Sequence, residues 1–408
     1  MKVKKSVSIR TAQQWLHKEG FQFIGYKKGL YFDGHDQPDV LEYQNKVFLP
    51  QMKDYFPCLI CYTVGNVDTP IIPQNFVECP LVLVAQDEMT AQAHDTVSKS
   101  WVLDDQHKLR KKGVGCGLHQ SDVICSIVEC HHGPFQDCTQ QPLTPRSSVK
   151  PATISSTLWS CPVVEKIIPA FERAHRPGYQ ALFMVDNSQG HSAYAEDALV
   201  ANHMNVNPGG KQAHLQDGWY EFNGQRITQK MVFPHDHPEY PDMPKGLHQV
   251  LTERGIDTQG LCGKCKNKCK ADTTACCCLQ ILSNQPDFKL QKSLVQEIIE
   301  AEGHLCILLP KFHCELNFIE FFWGAVKKYL HDHCDMTFEN LKINMPQALA
   351  SVQIATIRKW EHHMHWWMEA YREGLGTQDA QAKIKEFSSI KYKSHRRVPE
   401  TVAQTFDV

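Results

Sequence analysis

Residues 305–330, LCILLPKFHCELNFIEFFWGAVKKYL, decide the fold. Leu305–Leu309 is a short apolar run that breaks at Pro310, and from Phe318 a new pattern opens with helical spacing. The stretch reads as strand, loop and helix, with Glu320 at the corner. A carboxylate there is held by the strand and favoured by the positive end of the helix, a place where binding and catalytic groups gather. The same residues also spell a capping box, because Asn317 is followed three residues later by Glu320 ahead of an apolar stripe. The stretch alone leaves both readings open, and partners elsewhere in the chain must decide.

Two other apolar runs repeat the arrangement. Leu81–Ala85, LVLVA, ends two residues before the pair Asp87 and Glu88. Ala181–Val185, ALFMV, runs directly into Asp186, with His191 shortly after. Helical patterns lie over Val163–Ala174, stopped by Pro177 and Gly178, and over Ala193–Asn202. Strands alternating with helices predict an α/β fold with ligands at the strand ends. Alternation around Val123 to Val128 predicts antiparallel strands, preceded by a basic run at Lys108, Arg110, Lys111 and Lys112. Gly25–Met52 is polar and turn-rich and reads as a linker, and Cys138–Ser160 reads as a loop.

The remaining segments add detail. Ile9–Gly20 predicts one amphipathic packing helix with Ile9, Ala12, Trp15 and Leu16 on its apolar stripe and, off it, Arg10 and Lys18 as candidate DNA contacts. In the long segment between Asp186 and Glu320, Trp219–Phe222, Asn223 with Gly224, and Gln225–Thr228 spell a hairpin with a type I′ turn. Cys262, Cys265, Cys269, Cys276, Cys277 and Cys278 offer thiolates at spacings that suit a structural tetrahedral zinc, with free thiols as the alternative. Helices are predicted over Lys289–Glu302, Phe338–Val352 and Gln353–Tyr371. On the last of these, His362, His363 and His365 read as surface histidines rather than metal ligands. Lys391, Lys393, Arg396 and Arg397 form a basic cluster that suits either phosphate contact or a solvated tail.

Bulk composition narrows the class. Among 408 residues, 43 Lys and Arg face 45 Asp and Glu, a net charge of −2, so any nucleic-acid contact must come from local patches rather than a global basic field. The opening MKVKKSVSIRTAQQWL lacks an apolar signal core, and no apolar run is long enough for a membrane span, so no membrane partner and no export are expected. Seventeen cysteines that cluster, without a signal peptide, favour reduced thiols and metal over a disulfide framework.

Taken together, the three acid-bearing stretches resemble the DDE transposases of the mariner-like superfamily, most closely the transposase-like proteins of fungal genomes. QDEMT carries Asp87, VDNSQGH carries Asp186 and ELNFIEFFW carries Glu320. SWV at Ser100–Val102, RTAQQWLHKEGF and SHRRVP extend the likeness. The resemblance implies a ribonuclease H-like mixed sheet with flanking helices, a Cys-rich insertion between the second and third acids, and a short helical N-terminal remnant. It implies residues 1–52 as the remnant of a helix-turn-helix region with its linker, 53–400 as the catalytic domain with the insertion at 203–288, and 401–408 as a tail. It further implies Asp87, Asp186 and Glu320 as ligands of two Mg²⁺ or Mn²⁺ ions, transposon-end and target DNA as partners, homodimerisation and a nuclear location, while the structural Zn²⁺ rests on the cysteine spacings alone. Two residues depart from the family pattern: Met89 stands where Ser or Thr is usual, and Phe318 replaces Pro. Few residues precede the first helix, so most of the DNA-reading region is expected to be missing. The alternative the sequence leaves is a DNA- or chromatin-binding protein that keeps the fold without catalysis.

Overall fold

The computed structural model describes residues 8–25, 34–63, 66–73, 79–95, 99–102, 113–127, 163–175, 177–265 and 275–386. The basic run Lys108, Arg110, Lys111 and Lys112, the segment Cys138–Ser160, Cys269, and the cluster Lys391, Lys393, Arg396 and Arg397 lie outside them. The chain divides into two units: one holds the residues up to Ser188, apart from a short undescribed piece, together with those from Ile299 onward, and the other holds Gln189–Ile298.

In the first unit, α1 (Ile9–Lys18) begins at Ser8, whose hydroxyl accepts from the Thr11 N–H at 3.2 Å. It closes at Gly20, whose φ of 86° suits glycine after a helix end. β1 (Gln22–Gly25) follows. The linker expected over Gly25–Met52 is instead helical where described: α2 (Pro38–Tyr43), a π-helical turn over Gln44–Phe48, and α3 (Leu49–Tyr55). Val40, Phe48, Leu49 and Met52 are buried along it. Gln44 is buried in the middle of the same stripe, and that polar residue in a π-helical turn hides the apolar period. Next come β2 (Cys61–Thr63), β3 (Asn66–Ile71), β4 (Leu81–Gln92), β5 (Lys99–Val102) and β6 (Gly117–Cys125). A turn at Val163–Ile167 leads into α4 (Ile168–Ala174) and β7 (Gln180–Val185).

The second unit forms its own core from Leu199, Met204, Leu215, Met231, Leu247, Val250, Leu251, Leu282 and Phe288. It contains the expected hairpin, β8 (Gly218–Phe222) and β9 (Gln225–Gln229), with Asn223 and Gly224 at φ 51° and 74° as a type I′ turn requires. α5 (Leu247–Glu253), α6 (Cys278–Ser283) and α7 (Pro286–Lys289) follow, and α8 (Leu294–Ala301) leads back toward the first unit. The helix expected over Ala193–Asn202 is absent. Its backbone groups bond to distant residues instead: Ala193 O accepts from Leu294 N, Leu199 N donates to the Gln291 side chain, and Asp197 O accepts from Gln216 N. The helix expected from Lys289 starts only at Leu294, because Ser293 and Gln296 cap it reciprocally, the Ser293 N–H donating to Gln296 Oε1 and the Gln296 N–H to Ser293 Oγ.

β10 (Leu305–Leu308), α9 (Ile319–His333), α10 (Phe338–Ala350), α11 (Ile354–Arg372) and α12 (Thr377–Glu386) complete the first unit. Its central sheet runs β10-β7-β4-β6. The pairs β10 with β7 and β7 with β4 are parallel, and β6 is antiparallel to β4. This mixed sheet with flanking helices is the α/β arrangement the sequence predicts. One face carries Leu81, Leu83 and Ala85 from β4, Leu182 and Met184 from β7, and Ile307 from β10. These share a core with Phe318, Ile319, Phe322 and Trp323 at the start of α9, and with Met345 of α10 and Met364 and Met368 of α11. β4 is longer than the apolar run suggests. Its parallel ladder with β7 stops at Ala85, but the antiparallel ladder with β6 continues to Gln92 paired with Gly117. Asp87 and Glu88 therefore lie within a strand, not beyond its end.

Candidate active site

The register of the parallel pair is constant from Leu81 beside Gln180 to Ala85 beside Met184. Two steps further, the same offset sets Asp87 level with Asp186, the first residue after β7. Side chains alternate along a strand, so Asp87 falls on the face of Leu83 and Ala85, and Asp186 continues the face of Leu182 and Met184. Asp186 ends that face on β7, whereas on β4 Asp87 interrupts an apolar face that resumes with the buried Met89, Ala91 and Ala93.

The third acid arrives from the next strand. Leu309 N–H still donates to Val185 O, extending β10 by one residue before Pro310 ends it. The loop then returns to the sheet, and Asn317 Nδ2 donates to Gln86 O at 3.3 Å, on the residue just before Asp87. This bond settles the capping question. Phe318 is the N-cap residue of α9 and gives no side-chain cap, while the Asn317 amide is committed to β4. The capping box does not form. Phe318 and Ile319 are fully buried, which turns Glu320 outward to the rim beside the other two carboxyls.

The three acids act on one another. Asp87 is pushed up to about 7, first by burial and then by repulsion from Glu320, Asp186 and Glu88, although a hydrogen bond from the Glu88 N–H pulls the other way. Glu320 is also raised, again by desolvation first, with Asp186 adding to the effect. Lys327 and a hydrogen bond shared with Asp87 oppose that rise. Glu320 is exposed overall, so solvent screens part of this interaction. A set of converging carboxyls that repel one another in isolation has the oxygen donors Mg²⁺ and Mn²⁺ take.

Two features escaped the sequence reading. Asp122 pairs directly with Asp87 in the β4–β6 ladder, and directly opposite residues share a face, so a fourth carboxylate lies next to the triad. It is buried, and one of its oxygens accepts from the Val123 N–H at 2.8 Å. The only signal for it is the alternation of β6, in which Asp122 shares parity with Leu118 and Ile124. The second feature is a clamp on the loop before Asn317. Glu315 accepts from His313 Nδ1 and from the Tyr371 hydroxyl, each at 2.7 Å, and its other oxygen lies 3.4 Å from His35 Nε2. Burial would raise Glu315, but the His313 and Tyr371 hydrogen bonds outweigh it and hold its carboxyl low. His35, His313 and Glu315 bring three donors within 4.8 Å of one another and could hold a cation, but Glu315 Oε1 already accepts from both His313 and Tyr371.

Asn317→Ala should release the start of α9 from β4. Losing one buried amide bond and leaving Gln86 O without its donor is expected to cost about 1–3 kcal/mol, read as a lower urea midpoint at unchanged slope. An unchanged midpoint would mean that the Asn317 bond does not anchor the corner.

The cysteines of the second unit meet in part. Cys262 and Cys265 sulfurs are 3.9 Å apart, Cys265 and Cys276 3.8 Å, and Cys276 and Cys277 4.0 Å. Tetrahedral zinc with bonds of about 2.3 Å sets sulfurs about 3.8 Å apart. Cys278 departs from the set: it opens α6, is buried, and its sulfur lies 3.8 Å from His248 Nδ1. Arg10 and Lys18, offered as DNA contacts, are exposed on α1, and His191 is buried in the second unit.

No known family model matches the chain, and no curated protein matches it. Among solved structures the chain is similar to the Mos1 transposase paired-end complex with left transposon end, at a TM-score of 0.40 and 11% identity, covering 89% of this chain and 69% of that one. Among the described residues no helix is long and apolar enough to cross a membrane.

Proposed function

We propose that the chain is a divalent-cation-dependent phosphoryl-transfer protein acting on DNA, a nuclease and strand transferase of the DDE type built on a ribonuclease H-like sheet. The observation that carries this reading is the meeting of Asp87, Asp186 and Glu320: two acids level with each other on adjacent parallel strands, and a third brought beside them through Asn317. The sheet order, an antiparallel β4–β6 pair continued by parallel β7 and β10, supports the fold assignment. DNA as substrate rests on the likeness of the three acid-bearing motifs to the transposase family.

Two Mg²⁺ or Mn²⁺ ions held by the acids would stabilise the attacking and leaving oxygens of an in-line displacement at phosphorus. Asp87, within β4, and Asp186, just past β7, would supply oxygens from two adjacent strands of the sheet. Glu320 supplies its own from the first turn of α9, where Lys327 moderates its charge. The family departures do not touch these donors. Met89 is 4% exposed and Phe318 0%, so both changed positions pack into the core and leave the carboxylates in place. The non-catalytic alternative gains no support from them.

The test is nicking of supercoiled DNA with Mg²⁺ or Mn²⁺. Wild type should nick and stop nicking in EDTA, and Asp186→Asn should be slower by at least about 100-fold, as expected for loss of a group that positions the catalytic cation. Equal nicking by both proteins would sink the proposal.

The second unit is proposed to hold one structural Zn²⁺ on Cys262, Cys265, Cys276 and Cys277. Bound zinc would hold the knuckle against the start of α6, which Cys278 N–H already joins to Cys262 O. Cys276→Ser is expected to lose one zinc per chain by elemental mass spectrometry and to open Gln189–Ile298 to protease. Unchanged zinc content would refute the assignment.

A further inference from the structure

α11 docks on the β2–β3 pair through Arg358. Its Nε donates to Ser126 O and its Nη1 to Val67 O, each at 2.9 Å, and its guanidinium lies 4.0 Å from the centre of the Tyr62 ring. Glu361 and His365 follow at three and seven residues, on the same helix face as Arg358. That face is set against β2, whose first residue, Cys61, adjoins Tyr62. His365 is therefore not the surface histidine the sequence suggests: its side chain is 14% exposed, and its ring meets the Phe56 ring edge-on at 5.2 Å.

Donor atoms of Cys61, Glu361 and His365 lie within 4.8 Å of one another. Two of their polar atoms lack a hydrogen-bond partner among the described residues. Glu361 is 3% exposed, and its Oε2 has no hydrogen-bond partner among the described residues, nor does His365 Nε2. The two side chains approach only to 3.7 Å, too far for a hydrogen bond. A buried carboxylate oxygen without a donor is costly, and a cation bound there would satisfy it. A thiol, an imidazole and a carboxylate together are a donor set for zinc, whereas Mg²⁺ and Ca²⁺ take oxygen.

We propose that Cys61, Glu361 and His365 bind a Zn²⁺ ion that clips β2 to α11. Cys58, half-buried at C-x-x-C spacing from Cys61, is the candidate fourth ligand. The clip joins segments from opposite ends of the chain, and α11 carries on to Tyr371, which holds the Glu315 clamp on the loop before Glu320. The ion is structural, and it braces the helix that braces the corner.

The test uses the full chain expressed with zinc and analysed by elemental mass spectrometry and thermal melting. Glu361→Gln and His365→Ala should each carry one zinc fewer than wild type, while Cys276→Ser, in the other cysteine cluster, should lose a separate one. After stripping with chelator, added Zn²⁺ should raise the melting temperature of Cys276→Ser, and it should not act at this site in Glu361→Gln. Stripped Glu361→Gln should melt at or above stripped wild type, because the substitution removes a buried charge and keeps the volume. If Glu361→Gln and His365→Ala hold as much zinc as wild type, the proposal is overturned. Should Glu361→Gln fail to fold, cobalt loading of Cys61→Ser decides: an unchanged sulfur-to-cobalt absorption overturns the site, and a reduced one supports it.

Discussion

Asp87→Asn is expected to make the cation-free protein more resistant to urea than wild type at pH 8, and to abolish the stabilisation that Mg²⁺ gives. Asp87 is pushed up to about 7 from an ordinary value of 3.8, chiefly by burial. Between those values the native chain holds a proton that the unfolded chain releases. The stabilising contribution is thus complete below about pH 4 and is lost as pH rises through 7. A shift of about three pH units corresponds to about 4 kcal/mol at most. Because Asp87 is only half-buried, solvent screening brings the expected loss to about 1–2 kcal/mol. Asn carries no such charge and escapes the penalty. Mg²⁺ at 100 times its dissociation constant should return about 2.7 kcal/mol to wild type and nothing to the variant. The measurement is urea unfolding at pH 5 and pH 8, in EDTA and in Mg²⁺. A parallel pH trend in the two proteins, or equal Mg²⁺ stabilisation of both, would separate Asp87 from any cation site.

What the sequence made legible was local. LVLVA, ALFMV and LCILL announce β4, β7 and β10 because buried parallel strands need apolar residues on both faces. Asn223-Gly224 announces its hairpin because both residues accept positive φ. The three acids were visible as residues at or near strand ends. What could not be seen was registration. Only the pairing of Leu81 with Gln180 sets Asp87 level with Asp186, and only the pairing of β4 with β6 sets Asp122 across from Asp87. The Asn317–Glu320 capping pattern was a correct reading of local chemistry that a distant acceptor, Gln86 O, overruled. The Ala193–Asn202 helix failed for the same reason, since Leu294, Gln291 and Gln216 supply its hydrogen bonds from afar. His365 looked like a surface residue because nothing in its own helix shows that Arg358 turns that face onto the β2–β3 pair.

The largest loss of stability is expected at a pair with no motif at all. Arg254 Nη1 and Nη2 donate to the two oxygens of Asp287 at 2.8 and 2.7 Å, with the side chains 1% and 0% exposed. Arg254 Nε also donates to Gln229 Oε1, and Asp287 Oδ2 accepts from the Trp219 N–H. The pair thus ties α5's end and α7 to both strands of the β8–β9 hairpin. Asp287→Ala leaves a guanidinium buried without its counter-charge and the Trp219 N–H without its acceptor, and should destabilise the second unit by about 3–5 kcal/mol. Hydrogen exchange resolved over Gln189–Ile298 is the measurement, and protection equal to wild type would contradict the prediction. The double variant Arg254→Met with Asp287→Leu should recover most of the loss, because the net worth of a buried pair is small beside the penalty of breaking it. Recovery of protection without recovery of the hairpin's own exchange pattern would show that the pair selects the β8–β9 arrangement rather than stabilising it. A double variant as weak as the single one would instead assign the loss to the hydrogen bonds made to Gln229 and Trp219.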